Sequence, residues 1–395
     1  MKSLNYASVP PDSKSRAFCT LFIAASLICS AYFVGSSFLG KEYFQKWKVI
    51  DRVPSAIPSL CKDYCKPVGT EALPYGIVTR NSDFEMRPLW DSPLEDSKPK
   101  PSKSLLALAV GIKQKEVVDR IIQKFPLSDF VVMLFHYDGN VDKWRDFPWS
   151  DHVIHISAVN QTKWWFAKRF LHPDVVAEYD YVFLWDEDLG VENFNPKRYI
   201  SIVREEGLEV SQPALDPTKS TIYHYITARQ SRSKVHRRIY KFKGGGRCYG
   251  NNTAPPCVGW VEMMAPVFSR AAWRCTWHMI QNDLIHAWGL DFQLGYCAQG
   301  DRTKNVGVVD SEYIVHLGLL TLGVFNESQP NSHSITQGEL PPNQKVDEPS
   351  ESRLVDKRMQ VRQQSHLEME IFLDRWKNAA DKDKCWVDPF RQSIN

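Results

Sequence analysis

The sequence predicts an α/β fold in which a mostly parallel mixed sheet carries helices on both faces, preceded by one transmembrane helix. Three observations point to it. From residue 105 onward, apolar runs of strand length alternate with segments of helical spacing. The chain has 395 residues, 43% hydrophobic and 24% charged, enough for a full core and too apolar for disorder. Between Arg16 and Lys41 lie 24 residues without a charge, AFCTLFIAASLICSAYFVGSSFLG. Lys plus Arg number 49 against 46 Asp plus Glu, which leaves no electrostatic case for a nucleic-acid binder.

Taken in order, residues 1–16 are expected to be a cytosolic tail and residues 17–40 a signal anchor. At about 1.5 Å per residue, a helix of that length spans roughly 30 Å of hydrocarbon. The stretch is longer than the apolar part of a signal peptide, although Gly35-Ser36-Ser37 leaves cleavage open. Lys2, Lys14 and Arg16 before it are matched by Lys41, Lys46, Lys48 and Arg52 after it, so flanking charge does not orient it. Sequons at Asn160, Asn251 and Asn326 and seven cysteines outside the anchor suit an oxidising lumen. The expectation is a single-pass membrane protein with a lumenal domain. Residues 41–102 are rich in Pro and Lys and read as a stem.

The compact part, 103–325, opens with the strand Leu105–Val110, a helix over Gln114–Phe125 and a strand at Phe130–Phe135. The unit repeats as a strand at Val153–Val159, helices at Thr162–Leu171 and Val175–Tyr179, and a strand at Tyr181–Trp185. A helix at Pro196–Glu206, strands at Glu209–Gln212 and Trp260–Phe268, a helix at Arg270–Gln281 and an apolar run at Tyr313–Leu320 come next. Residues 326–351 read as a loop, and 352–395 as a C-terminal helix with a tail. Cys61 and Cys65 are one candidate pair, and Cys248 and Cys257 flank a loop that a disulfide would staple. Cys275, Cys297 and Cys385 complete the set with connectivity open. As zinc ligands, Cys61, Cys65, Cys248 and Cys257 lack a compact pattern.

Asp186-Glu187-Asp188 directly succeeds the apolar strand, and in parallel sheets ligands bind outside such carboxyl ends. Strand alternation puts Asp186 and Asp188 on one side, where two hard carboxylates can hold Mg²⁺ or Mn²⁺ and a diphosphate. The spacing alone is weak, since Asp381-Lys382-Asp383 repeats it in a polar tail. The plainer alternative is that the acids end a strand and cap the next segment.

This pair after a hydrophobic strand resembles the DxD motif of GT-A glycosyltransferases. The run FLWDEDLGVENFNPKRY, with VSQPALDP at 210–217 and WGLDFQLGYC at 288–297, resembles the plant family catalogued as domain of unknown function 707, over about residues 60–390. The resemblance implies a Golgi type II membrane protein whose GT-A-like lumenal domain moves a sugar from a nucleotide-sugar donor to a glycan or polysaccharide acceptor. It implies His316 as a third metal ligand, where the alternative is a core histidine bonded to backbone. Asp291 resembles the base of inverting enzymes, where the alternative is a helix N-cap for Phe292–Cys297. Glu262 is a second candidate base. Gly111 and Lys113, in the loop after the first strand, sit where the donor nucleotide is expected.

Eight Lys or Arg residues lie between Arg229 and Arg247, among them Arg237 and Arg238, and run into Gly244-Gly245-Gly246. They read either as a loop closing over a diphosphate or as a solvated charged face. Most of the tryptophans read as core, with Trp260 and Trp288 singled out to stack on sugar. Two other readings stand beside the transferase: a catalytically silent lumenal glycan-binding or scaffold protein, and a metal-dependent hydrolase or phosphotransferase.

Overall fold

Alternation along the strands sends successive side chains to opposite faces of the sheet, and helices cover both. In β1 (Lys103–Val110), Leu105 and Ala107 join one core while Leu106, Leu108 and Val110 join the other. In β4 (Tyr179–Trp185), Val182 and Leu184 go one way and Tyr181, Phe183 and Trp185 the other. On the second face lie α1 (Lys115–Lys124), through Val117, Val118, Ile121 and Ile122, and α3 (Pro196–Glu205), through Tyr199, Ile202 and Val203. On the first lie α2 (Lys163–Phe170) and α4 (Arg270–Met279). Each fully buried large side chain contributes about 1.5–3 kcal/mol, so two such layers make the sheet a continuous interior.

The remaining strands are β2 (Phe130–His136), β3 (Ile154–Ser157), β5 (Leu189–Gly190), β6 (Val210–Leu215), β7 (Val235–His236), β8 (Val267–Ser269) and β9 (Val306–His316). Their order is β3-β2-β1-β4-β8-β6-β9-β5, with β7 also on β9. Pairings β1–β2, β1–β4, β2–β3 and β6–β9 are parallel. The short β8 runs antiparallel to both β4 and β6, so β6 and β9 point the same way as β1, β2 and β4. The mixed, mostly parallel sheet is as expected, with only the short β5, β7 and β8 reversed. The carboxyl ends of β1, β2, β4 and β9 therefore share one edge.

This computed structural model describes residues 66–78, 103–231, 233–240, 248, 252–319 and 351–390, with backbone alone at 351–358. The anchor at 17–40, Cys61 and Cys65, Gly244–Gly246, the sequons at Asn251 and Asn326 and the loop at 326–350 lie outside the described residues. No helix among the described residues is long and apolar enough to cross a membrane.

Several expectations are corrected. Residues 66–78, expected within the stem, belong to the globular unit: Leu73, Ile77 and Val78 enter the first core, Tyr75 N donates to Asp383 at 2.8 Å, and the Trp386 indole donates to Ala72 O at 2.9 Å. Of the helix expected at Val175–Tyr179, residues 175–178 form turns and Tyr179 already begins β4. Of the strand expected at Trp260–Phe268, only Val267–Ser269 forms a ladder, because the chain turns within it at residues 263–265. The last strand follows the one-turn helix α5 (Arg302–Asn305) and begins at Val306, upstream of the apolar run that announced it, because Val306, Val308 and Val309 bury beside β6. The C-terminal helix α6 (Glu351–Lys382) packs Phe372, Trp376 and Ala379 into the first core. Cys248 pairs with Cys257 and Cys275 with Cys297, and Cys385 is also disulfide-bonded. The Cys248–Cys257 bond removes two of the four thiolates a zinc site would need.

Candidate functional site

β4 delivers Asp186, Glu187 and Asp188 to the shared edge, and each takes a different partner. Asp186 hydrogen-bonds through its N–H to Met264 O at 2.9 Å, which lines the segment after Glu262 along the end of β4. Its Oδ1 lies 2.6 Å from the Lys163 ammonium. Burial pushes the Asp186 carboxyl up, and Lys163 opposes this. Asp188 immediately precedes β5, whose Leu189 pairs antiparallel with His316 at the end of β9. That register brings His316 Nε2 to 3.3 Å from Asp188 Oδ2, and the Leu319 N–H donates to the same oxygen at 3.2 Å. The hydrogen bond to Asp188 holds His316 protonated more readily than a free histidine.

Glu187 points the other way and binds the turn after β1. Its Oε2 accepts from Gly111 N at 2.7 Å and its Oε1 accepts from the Tyr137 hydroxyl. A Cβ at Gly111 would collide with the Tyr137 ring and hydroxyl, so this turn needs glycine. Asp138 Oδ2 accepts from Ile112 N at 2.7 Å. Burial pushes the Glu187 carboxyl up to about 8.

Glu262 sits where the chain leaves Trp260 for β8, its N–H donating to Gln212 Oε1 of β6 at 2.5 Å. It feels the charges of His316, Asp186, Asp291 and Lys163, and burial pushes its carboxyl up to about 7. Asp291 lies inside the 3₁₀ turn Leu290–Phe292, with Oδ1 accepting from Phe292 N at 3.0 Å. It is not an N-cap, since Gly289 precedes that turn and Gln293 precedes Leu294–Cys297. Burial pushes Asp291 up to about 6, while neighbouring N–H groups and the Trp260 side chain favour its ionised form. His316 Nδ1 and Glu262 Oε2 are buried without a hydrogen-bond partner among the described residues. Orphaned polar atoms at one place mark a site shaped for something further.

The structure thus brings together Asp186, Asp188, His316, Glu262 and Asp291, with Gly111 joined to them through Glu187. Lys113 is an exposed residue of the turn Ile112–Gln114. Arg237 is not brought there: it binds Glu206 and Lys304 O, just before β6 and β9, at the opposite edge of the sheet. Arg238 donates to Asn252 O at 2.7 Å and serves the disulfide-stapled loop. Trp260 is fully buried against His224 and has no open face for a sugar, whereas Trp288 is 38% exposed with His366 against its ring. Asn160 is exposed before α2. Sequence reasoning missed Lys163 and Glu187. Glu187 was legible only as the middle of an acid run, and Lys163 carried no signal, being 23 residues from its partner in a lysine-rich chain.

Among the described residues, no three His, Cys, Asp or Glu side chains are grouped as ligands around an ion would be. The donor chemistry fits a divalent cation all the same: Asp186 Oδ2 and Asp188 Oδ1 have no protein partner among the described residues, and an imidazole nitrogen stands beside them.

A family profile described as "Protein of unknown function (DUF707)" matches residues 64–382. No curated protein matches the chain. Among solved structures, that of S. aureus TarS 1–349 is 9% identical over 54% of this chain and 59% of that one, with a TM-score of 0.38. Its complex with UDP gives 9%, 53%, 59% and 0.36. The glycosyltransferase GlyE of Streptococcus pneumoniae TIGR4 gives 12%, 52%, 46% and 0.28. The chain spans less than two thirds of each of these, and at such TM-scores the likeness says nothing about residues or activity.

Proposed function

The chain belongs to the DUF707 family, whose description names no activity, so function is read from the site, and we propose a metal-dependent glycosyltransferase that moves a sugar from a nucleotide-sugar donor to a glycan acceptor. One observation carries this reading: two carboxylates and a histidine meet at a sheet edge beside two half-buried carboxyls, Glu262 and Asp291, whose proton affinities lie near neutrality. Inverting sugar transfer uses both parts, a place for the charge that builds on the leaving diphosphate and a base for the attacking hydroxyl.

Asp186, Asp188 and His316 would hold Mn²⁺ or Mg²⁺, which when bound supplies positive charge to the diphosphate. Asp291, at about 6, is ionised at neutral pH and suits the role of base if the enzyme inverts; Glu262, at about 7, is the second candidate. Gly111 and Lys113 would border the donor, and Trp288 offers the aromatic face for an acceptor sugar. The uncharged segment 17–40 and the exposed sequon at Asn160 support a type II protein of the Golgi membrane.

A silent glycan-binding or scaffold role has one observation in its favour, that each acid of the pair already has an in-chain partner, the Lys163 ammonium or the His316 imidazole. The test is binding of a panel of nucleoside diphosphates to the full chain with and without Mn²⁺. The transferase reading expects one nucleotide to bind only with metal and to be lost in Asp186→Ala/Asp188→Ala. A folded wild type that binds none of them would leave the scaffold reading standing.

A further inference from the structure

Lys163 is the first residue of α2, and its side chain is only 8% exposed. An ammonium has three donors, and here all three are engaged: Asp186 Oδ1 at 2.6 Å, Met263 O at 2.6 Å and Met264 O at 3.2 Å. None is left for a diphosphate or a sugar, so Lys163 reaches the site only through Asp186. The place where it does so is dense in acid. Asp186 feels Asp188, and Glu262 feels Asp186 and Asp291, with Lys163 the lysine cation among them. Without that ammonium the acid pair would bind a divalent ion more tightly and in more than one way, because Asp186 could then offer both oxygens.

We propose that Lys163 is a positioning residue for Asp186. It ties Oδ1 to the Met263–Met264 backbone, leaves Oδ2 as the one oxygen facing a cation, and keeps that cation exchangeable by its own charge. This rests on the cation reading of the site made under the proposed function. A merely structural role, pinning α2 to the 263–264 segment, would need the hydrogen bonds and not the charge.

The two roles separate by Mn²⁺ titration of the full chain, tracking the free ion by electron paramagnetic resonance. Lys163→Met removes charge and donors; Lys163→Gln removes the charge yet keeps an amide N–H for the Met263 and Met264 carbonyls, so it stays informative if the first variant fails to fold. Both are expected to bind Mn²⁺ at least about tenfold more tightly than wild type, since a unit charge so near a divalent ion has a large effect at protein dielectrics. Wild type that binds Mn²⁺, with a folded Lys163→Gln of unchanged affinity, overturns the Lys163 proposal alone. Absence of Mn²⁺ binding in wild type and both variants overturns this proposal together with the cation reading it rests on.

Discussion

At the scale of the residue, the acid run shows how one strand end serves two tasks. Successive side chains face opposite sides, so Asp186 and Asp188 meet Lys163 and His316 while Glu187 binds the Gly111 turn. Glu187 makes a stability prediction with a definite sign. Its folded carboxyl is raised from 4.5 to about 8, so the folded state holds a proton that the unfolded chain has already released. The stability it contributes is present in full below about 4.5 and is lost as pH rises through about 8. Thermal melts should therefore show Tm falling between pH 5 and 8, with roughly 2–4 °C for each kcal/mol in a domain of this size. In Glu187→Gln the fall should be shallower, though not absent, because Glu262 is raised in the same direction. An unchanged slope would mean that Glu187 is ionised throughout.

At the scale of the element, α6 is what holds the Asp291 turn. Glu368, almost fully buried, accepts from His286 N at 2.8 Å and meets His286 Nδ1 at 3.0 Å. Met369 and Phe372 press on Gly289, whose φ of +89° allows the turn that presents Asp291. Glu368→Ala leaves the His286 N–H unpaired in a half-buried place and should cost about 1–3 kcal/mol, read by urea denaturation. Leu367 and Met359 on the same helix stay half exposed, so alanine at Leu367 should cost far less. The helix itself was plain from its spacing; its hold on a turn some 80 residues earlier was not, because periodicity names an apolar face without naming what lies against it.

At the scale of the whole molecule, the two ends of the globular unit meet. Leu73 and Ile77 are almost fully buried beside α6 residues, and Gln281 and Trp386 donate to backbone carbonyls at Ile77 and Ala72. Removing three buried apolar side chains at about 1.5–3 kcal/mol each approaches the 5–15 kcal/mol that holds a typical domain together. A chain beginning at residue 63 should melt cooperatively by circular dichroism, and one beginning at residue 79 should not. Family membership, the mixed α/β sheet, the place of the acid pair at a strand end and the helices with clear apolar stripes were all legible in the sequence, because each depends on neighbours within one or two turns of chain. What only the tertiary structure decided is who faces whom: that residues 66–78 are core, that Arg237 serves the far edge and Trp260 is sealed, and that Lys163 holds Asp186 while Glu187 turns to Gly111. Those outcomes depend on sheet order and on long-range pairings that no local pattern of residues encodes.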